Sequence, residues 1–491
     1  MSARLDASAR LAADVALPAY VPEDHGCGIV HIGIRAFHKA HQAIYTDTAL
    51  GLDGGDWRIL GVSLRSREAA TGLNPQDGRF LLLTRGADGD HARLIGSIAH
   101  VLVAPDAPDA VIAAIADPAT RIVTVTVTEK AYGIDRSTGG LDLTHEAIAH
   151  DLDAPDAPRG VIGFLVAGLA RRRATNAGPL TILCCDNLPE NGHMLSRLVD
   201  AFARRVDPAL PAWIDANIRF PSSMVDRITP APTDRTLADA DRMSGLRDDA
   251  AVETEPFSQW IIEDDFAAGR PAWEKAGALF VASVSPYEKM KLRMLNGAHS
   301  LIAYAGFLAG HETVADAMQD RGLTRIVGRQ MEAAAATLPP VPGIDLRAYR
   351  DELLARFSNP AIRHLTYQIA MDGTEKLPQR IASPLVETLE NGDADAFAFA
   401  IAAWMRYCMG IDETGAAYAL RDPKETLIAQ AAKDARRAPE RLFANLTAIP
   451  GVFPAVIRAD SALRTSVITH LSTMLDRGMT GAIEAAAQAR T

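Results

Sequence analysis

The chain carries two kinds of hydrophobic pattern, which change over near residue 285. Before that point, short β-branched runs alternate with amphipathic stretches, as is typical of a parallel sheet flanked by helices. The predicted strands are 28–33, 57–64, 80–85, 92–103, 121–128 and 179–187, and the predicted helices are 37–50, 108–116, 161–173 and 192–209. After that point, helical periodicity dominates. We therefore predict an α/β domain at residues 1–285 and a mainly α-helical domain at residues 286–491.

The bulk composition fits a globular, two-domain protein. Its 491 residues exceed what one hydrophobic core usually organises. The formal net charge of −11 gives no reason to expect a nucleic-acid partner or an anionic membrane surface. The N-terminus lacks the apolar stretch of a signal peptide, and the four cysteines have no metal-binding spacing. We expect a reduced, cytoplasmic protein. The pattern leaves its oligomeric state open, with a monomer among the options.

The first predicted strand ends in a glycine and leads into a helix. Such a turn can receive a pyrophosphate at the helix N-terminus. The candidate cofactor residues of this turn are Gly33, Arg35, Ala36 and Phe37. Only Gly33 is present where a G-x-G-x-x-G fingerprint has three glycines, so a tight turn without a ligand fits equally well.

The ends of later predicted strands carry polar residues. After the second strand, Glu68 could accept a hydrogen bond from a ribose 2′-hydroxyl, whereas Arg65 and Arg67 could pair with a 2′-phosphate. The choice between NAD and NADP therefore stays open. Ligands of open α/β sheets lie outside the carboxyl ends of the strands. Two further strand ends offer candidates there, which solvated loops would explain as well: Glu129, Lys130, Asp186 and Asn187.

The segment KMKLRMLNGAHSLIAYAGFLAG, residues 289–310, combines three chemically useful side chains. At helical spacing, Asn296 lies about 140° around the axis from Lys291, and His299 falls between them at about 80°. All three can therefore face one cleft. A lysine whose pKa is lowered by burial could take the proton of a carbinol while the amide and imidazole hold the oxygen. A buried helix with a snorkelling lysine and a satisfied core histidine is the alternative.

Two other motifs in the chain resemble known sites, but the residues that would complete each site are missing. Tyr287 and Lys291 fit Y-x-x-x-K, the pair of the short-chain dehydrogenases, but the N-terminal TGxxxGxG of that family is absent. His38 and His41 lie three residues apart, yet no nearby Cys, Asp or Glu completes a metal site. We therefore predict chemistry without a metal.

Eight segments, in this order, resemble the long-chain mannitol dehydrogenase family of polyol and uronate oxidoreductases. They span nearly the whole chain: GIVHIG with FHKAHQAIYTD, TVTEKAYGID, CCDNLPENGH, FPSSMVDRITP, EPFSQWIIED, GRPAWEKAG, KLRMLNGAH and RFSNPAIRHLTYQIAMDG. The resemblance implies a metal-independent enzyme that uses a nicotinamide cofactor. It also implies a Rossmann-type domain followed by a helical domain, with the active site between them.

The resemblance also implies roles for individual residues. The family's catalytic lysine matches Lys291, its oxygen-binding asparagines match Asn187 and Asn296, and its substrate-binding histidine matches His299. An aspartate of its substrate pocket matches Asp226. One departure concerns the glycine turn, where the family usually has a second glycine and this chain has Arg35. The arginine could crowd the pyrophosphate or pair with it, so we expect dinucleotide binding with altered affinity.

Within the family, several cations make the chain look most like the fructuronate reductases, also called mannonate oxidoreductases. A sugar-acid carboxylate needs a cation in the pocket, and a neutral polyol does not. The candidate substrate residues are Lys130, Asp226, Arg363, His364 and Lys376, and Arg380 belongs to the same segment as the last three. We expect reversible NAD-dependent reduction of D-fructuronate to D-mannonate. A mannitol-type polyol 2-dehydrogenase, a tagaturonate reductase and a non-catalytic dinucleotide sensor are the alternatives.

Overall fold

The computed structural model describes residues 3–8, 10–86, 88–135, 138–389 and 392–488. The chain divides into two compact units, Met1–Ser285 and Pro286–Thr491. All twelve strands of the described residues lie in the first unit: β1 (Cys27–Ile32), β2 (Arg58–Ser63), β3 (Phe80–Gly86), β4 (Gly89–Ile95), β5 (Ile98–Val103), β6 (Ile122–Val125), β7 (Leu180–Cys184), β8 (Ile218–Arg219), β9 (Ser223–Asp226), β10 (Val252–Thr254), β11 (Gln259–Glu263) and β12 (Leu279–Val281).

The first unit is built on a six-stranded parallel sheet in the order β5-β2-β1-β6-β7-β8. The chain starts at the centre, moves outward to β5, and then returns to build the other half from β6. The strand order therefore reverses between β1 and β6, and ligands of doubly wound sheets bind at such a reversal. This confirms the predicted Rossmann-type fold.

Helices cover the sheet, which explains the apolar runs in its strands. Strands buried on both faces read as continuous β-branched stretches instead of alternating ones. Val30, Ile32, Val123 and Val125, for example, are all almost fully buried. The α-helices of this unit are Ala36–Ala40, Gln42–Asp53, Glu68–Leu73, Pro108–Ala116, Glu146–Asp153, Val161–Thr175, Asn191–Val206, Leu210–Asn217 and Asp234–Ser244.

The strand predicted at 92–103 is wrong, because the structure has two strands there in different sheets. β4 pairs antiparallel with β3 in a three-stranded sheet of order β10-β3-β4, whereas β5 is the edge strand of the main sheet. The break falls at Gly96, whose N–H donates to Asp47 Oδ1 at 2.9 Å. A Cβ at Gly96 would lie 2.6 Å from Pro22 Cγ, so the close approach of Pro22 needs a glycine.

A third sheet, β12-β11-β9, was not predicted. Its strands have only three to five residues, too short for a clear alternation. β11 runs antiparallel to β9 and parallel to β12. The register pairs Gln259 with Asp226, which places the predicted pocket aspartate at the end of β9.

The second unit is helical, which confirms the mainly helical prediction, and its described residues contain no strand. Two of its helical segments have π geometry, Lys291–Asn296 and Pro378–Ala382. The α-helices are Ser285–Met290, Gly297–Leu308, Val314–Met318, Arg321–Ala336, Leu346–Phe357, Thr366–Ala370, Gly373–Leu377, Ser383–Thr388, Asp395–Tyr407, Glu425–Ala435, Pro439–Thr447, Ala455–Ala459 and Ser461–Gln488, with a non-helical Gly478 in the last. Among the described residues, no helix has the length and apolarity that crossing a membrane requires.

Candidate active site

The turn after β1 depends on one glycine. Gly33 has a φ of +100°, and a Cβ there would lie 2.1 Å from the carbonyl oxygen of Thr126. Its N–H donates to Val62 O at 2.9 Å, and Thr126 Oγ1 donates to its carbonyl at 3.1 Å. Gly33 thus joins the ends of β2 and β6 at the point where the strand order reverses. A residue with a side chain would not fit there.

The two positions where the fingerprint would have further glycines are filled in a different way. Arg35 has extended backbone angles, φ −148° and ψ −173°, which any residue can adopt, and it is exposed. His38 stands at the third glycine position and is fully buried. Its ring stacks on that of His31 in β1, with centroids 3.5 Å apart and planes 13° from parallel. A flat imidazole pair therefore provides the close helix–strand packing that a glycine usually gives.

Burial keeps these histidines uncharged. The pKa of His31 is lowered to about 3 because its ring is buried, and burial likewise lowers the pKa of His38 well below its usual range. The His31 ring nitrogens lie 2.8 Å from Thr124 Oγ1 and 3.0 Å from Thr126 Oγ1. His41 Nε2 lies 3.0 Å from Gln259 O. The described residues contain no group of three or more His, Cys, Asp or Glu that could hold a metal ion.

A cleft of about 580 Å³ opens at this turn, within the first unit. Its volume is in the range of small-molecule and cofactor sites. Its walls include most of the predicted cofactor residues: Gly33, Arg35, Ala36 and Glu68, together with Lys39, Arg65 and Thr128. Phe37 instead stacks on His41, with ring centroids 5.1 Å apart. Glu129 lines a neighbouring pocket of about 340 Å³ that also contains Lys130. The cleft and the bare backbone at Gly33 fit a dinucleotide.

The two arginines of the loop after β2, which were candidates for binding a 2′-phosphate, have different surroundings. Arg67 forms a two-point ion pair with Asp106, with its Nε 2.8 Å from Asp106 Oδ2. Arg65 lines the cleft and is exposed. Glu68, the first residue of its helix, also lines the cleft.

Asp186 ties together the ends of β6 and β7. Its Oδ2 accepts hydrogen bonds from the Val127 N–H at 2.8 Å and the Tyr132 hydroxyl at 2.6 Å. Burial raises the pKa of this carboxyl, although those two hydrogen bonds oppose the rise. Asn187 follows it and is exposed, whereas Asp226 at the end of β9 is buried. The structure therefore gives Asp186 a structural role beside the predicted asparagine.

In the second unit, Lys291 and Asn296 are the first and last residues of a π-helical turn. The 100° spacing used for their predicted angles does not apply there, because a π turn is wider than an α turn. Lys291 is 7% exposed and His299, in the α-helix that follows, is 6% exposed. Such π segments often occur at functional sites.

His299 lies in an apolar and aromatic environment. Its ring centroid is 4.5 Å from that of Phe357 and 5.2 Å from that of His364. Within the described parts of the chain, His299 Nε2 and His364 Nδ1 are buried without a hydrogen-bond partner. Burial lowers the pKa of His299 well below its usual range and that of His364 to about 4. Both rings are therefore neutral at physiological pH and able to bind a ligand hydroxyl.

The predicted cations of the second unit differ in how they are engaged. Arg363 is exposed and forms an ion pair with Glu312. Lys376 Nζ donates to Met371 O at 2.5 Å and Ile369 O at 3.2 Å, and burial lowers its pKa to about 8. Arg380 Nη1 lies 3.4 Å from Asn296 O and from Ser300 Oγ.

Of the predicted site residues, the second unit brings several into one cluster: Lys291, Asn296, His299, His364 and Lys376. Arg380 also belongs to it, although its sequence position gave it no separate role. Its place on the second π turn and its contact with Asn296 O were not predictable from the sequence. Asn187, Asp226 and Lys130 belong to the first unit.

Both units match family models. The Mannitol dehydrogenase Rossmann domain matches residues 27–275, and the Mannitol dehydrogenase C-terminal domain matches residues 283–475. The oxidoreductase YdfI of Escherichia coli K12 is 42% identical over 464 residues, covering 94% of this chain and 95% of that protein. The D-mannonate oxidoreductase of the same organism is 43% identical over 401 residues, covering 80% and 82%. The structure of Pseudomonas fluorescens mannitol 2-dehydrogenase with NAD and D-mannitol has a TM-score of 0.86 at 37% identity and covers 97% of both chains.

Proposed function

Because this chain belongs to the mannitol dehydrogenase family, whose dehydrogenases act on a secondary alcohol, we propose that it catalyses the reversible NAD-dependent reduction of D-fructuronate to D-mannonate. The observation that carries this proposal is the cluster of the second unit. There, a buried lysine, an amide and two neutral imidazoles lie among several cations. Such a set suits a sugar that has both a carbonyl and a carboxylate.

In this proposal Lys291 is the general acid and base. When bound, the nicotinamide supplies the hydride for the keto carbon. The Lys291 ammonium gives its proton to the keto oxygen during reduction, and the neutral amine takes it back during oxidation. Asn296 donates a hydrogen bond to the oxygen as negative charge develops. His299 is neutral, so its free ring nitrogen can hold a substrate hydroxyl without competing for the proton.

For the cofactor, the proposal favours NAD over NADP. Glu68 lines the cleft beside the glycine turn, where a carboxylate can accept a hydrogen bond from the ribose 2′-hydroxyl. A 2′-phosphate would meet this negative charge. Arg67, one of the two arginines that could offset the charge, is already paired with Asp106. Arg65, the other of these two arginines, is exposed and lines the cleft.

A mannitol-type polyol 2-dehydrogenase is the second candidate. Two observations favour it: the likeness to the Pseudomonas fluorescens enzyme, and the engagement of Arg363 and Lys376 with other groups. The sugar acid remains the better proposal because a carboxylate suits the cations of the cluster, Lys291, Lys376 and Arg380. D-mannonate oxidoreductase is also among the chain's relatives.

The test is oxidation of NADH, followed by its absorbance, with D-fructuronate and D-fructose as parallel substrates. We expect a strong preference for fructuronate, and a preference for NADH over NADPH in a matched run. A preference for fructose would move the chain to the polyol alternative. Binding of NADH without turnover of either sugar would contradict both and favour a dinucleotide sensor.

A further inference from the structure

Arg380 is partly buried, and fewer groups compensate its charge than compensate that of Arg172, Arg85 or Arg293. Arg172 donates five hydrogen bonds to backbone carbonyls. Arg85 pairs with three carboxylates, and Arg293 makes a two-point pair with Glu387. Arg380 has only the two long contacts from Nη1, to Asn296 O and Ser300 Oγ. Within the described residues, no acidic side chain pairs with it.

The surroundings of Arg380 do not neutralise it. Burial lowers the pKa of His299, and the positive charges of Arg380, Arg356 and Lys291 lower it further. The positive charge of Arg380 also lowers the pKa of Lys376, in addition to the larger effect of burial. His299 and His364 cannot act as the missing counterion, because an imidazole ring is neutral or positively charged at physiological pH. A cation held in a protein without an anionic partner costs free energy, which a bound anion would recover.

The position of Arg380 is suited to such an anion. It lies on the second π turn, and the backbone of this turn packs against Gly297, next to Asn296. The side chain is partly buried, so solvent still reaches it. A guanidinium with most of its N–H groups unused can bind a carboxylate at two points.

We propose that Arg380 binds the carboxylate of the substrate and so selects sugar acids over neutral sugars. This inference rests on the proposed function, because it assumes a substrate with a carboxylate. It assigns that role to Arg380 ahead of Arg363, which is exposed and paired, and Lys376, which donates to backbone carbonyls. The other role open to Arg380 is positioning, since its contact with Asn296 O could simply hold the π turn in place.

Kinetics of the variants Arg380→Gln and Arg380→Lys separate the two roles. If Arg380 binds the carboxylate, Arg380→Gln lowers kcat/KM for D-fructuronate by about 30-fold or more relative to its effect on kcat/KM for D-fructose. Most of this loss is a rise in the KM for D-fructuronate. Arg380→Lys recovers part of this, because it keeps the charge but not the two-point geometry. If Arg380 only positions Asn296, kcat falls equally for both sugars, and the proposal is overturned. Arg464→Gln removes an exposed cation of the same unit and should change neither sugar.

Binding to the full-length protein in the presence of NADH keeps this inference separate from the proposed reaction, because neither alcohol can be oxidised when the cofactor is already reduced. Titration calorimetry would compare D-mannonate with D-mannitol, for the wild type and for Arg380→Gln. Tighter binding of mannonate that disappears in the variant supports the inference, even if the wild type fails to reduce fructuronate. Equal binding of the two compounds by the wild type, or a mannonate preference that survives the substitution, rejects it. If Arg380→Gln does not fold, Arg380→Lys gives the same comparison with a smaller expected change.

Discussion

At the scale of single residues, the proposed chemistry depends most on Lys291. It is almost fully buried at the start of the π turn, and it lies close enough to His299 for its charge to lower the pKa of that ring. A neutral His299 cannot serve as the proton donor in this pH range. Lys376 Nζ already donates to two backbone carbonyls, so the proposal assigns the transferred proton to Lys291.

Replacing Lys291 with alanine should therefore lower kcat by about 10²–10³-fold while substrate binding is largely kept. The loss follows because the developing oxygen charge no longer has a proton donor. Steady-state kinetics, together with calorimetric binding of D-mannonate, measures both quantities. Lys433→Ala, which removes an exposed lysine of the same unit, is the control and should leave kcat unchanged. Turnover near that of the wild type in Lys291→Ala would remove this lysine from the mechanism.

At the scale of elements, the two π turns are held in contact by a glycine. A Cβ on Gly297 would lie 3.0 Å from Arg380 O and 3.4 Å from Gln330 Nε2. This close approach brings the backbone that carries Asn296 next to the backbone that carries Arg380. The relative position of those two side chains therefore depends on the absence of a side chain at residue 297.

Gly297→Ala tests this dependence. The extra methyl should push the second π turn away, destabilise the protein by about 1–3 kcal/mol, and lower kcat/KM about tenfold because the site residues shift. Gly328→Ala is a matched control, since its helix has open space around that position. The control should stabilise the protein by about 0.5–1 kcal/mol and keep full activity. Thermal unfolding and steady-state kinetics measure both. Full activity in Gly297→Ala would contradict this role.

The elements that sequence could predict are those with clear periodicity. The helix at Pro108–Ala116 was predicted at its observed bounds, and strands β1, β2 and β3 lie within one residue of their predicted ends. The π turns were not predictable, because hydrophobic spacing was read at the α-helical period. The small sheet of β9, β11 and β12 escaped because its strands are short and partly polar.

At the scale of the whole molecule, several buried histidines make the fold sensitive to acid. Burial lowers the pKa of His31 to about 3 and of His364 to about 4, and it lowers those of His38 and His299 well below the ordinary value. An unfolded chain would take up protons on these rings near pH 6.5. The folded chain cannot do so until the pH is much lower.

The free energy of unfolding should therefore fall as the pH drops from about 6.5 to about 4. Between those values the unfolded state binds more protons than the folded state, so stability decreases with decreasing pH. His364 alone should contribute about 1–3 kcal/mol. Urea unfolding at a series of pH values, compared between wild type and His364→Gln, measures this contribution. The same experiment with exposed His100→Gln should show the wild-type slope. An unchanged slope in His364→Gln would contradict the prediction.

Part of the candidate site was predictable from the sequence. Periodicity and strand ends indicated the cleft residues Gly33 and Glu68 and the cluster of Lys291, Asn296 and His299. The state of each cation was not predictable from sequence, because the pairing of Arg363 with Glu312 and of Arg67 with Asp106 joins residues far apart in the chain. That no acidic side chain pairs with Arg380, among the residues the structure describes, likewise becomes visible only in the folded chain.

The single glycine after β1 also affects how such chains are found in genomes. A pattern search for G-x-G-x-x-G skips this protein, although the structure requires a glycine only at Gly33. At the second position the backbone is extended and accepts arginine, and at the third a histidine stacks on His31. A search that required one glycine after the strand, and accepted a histidine in the strand together with one at the third glycine position, would find this chain. Counting glycines therefore underestimates how many sequences can form this turn.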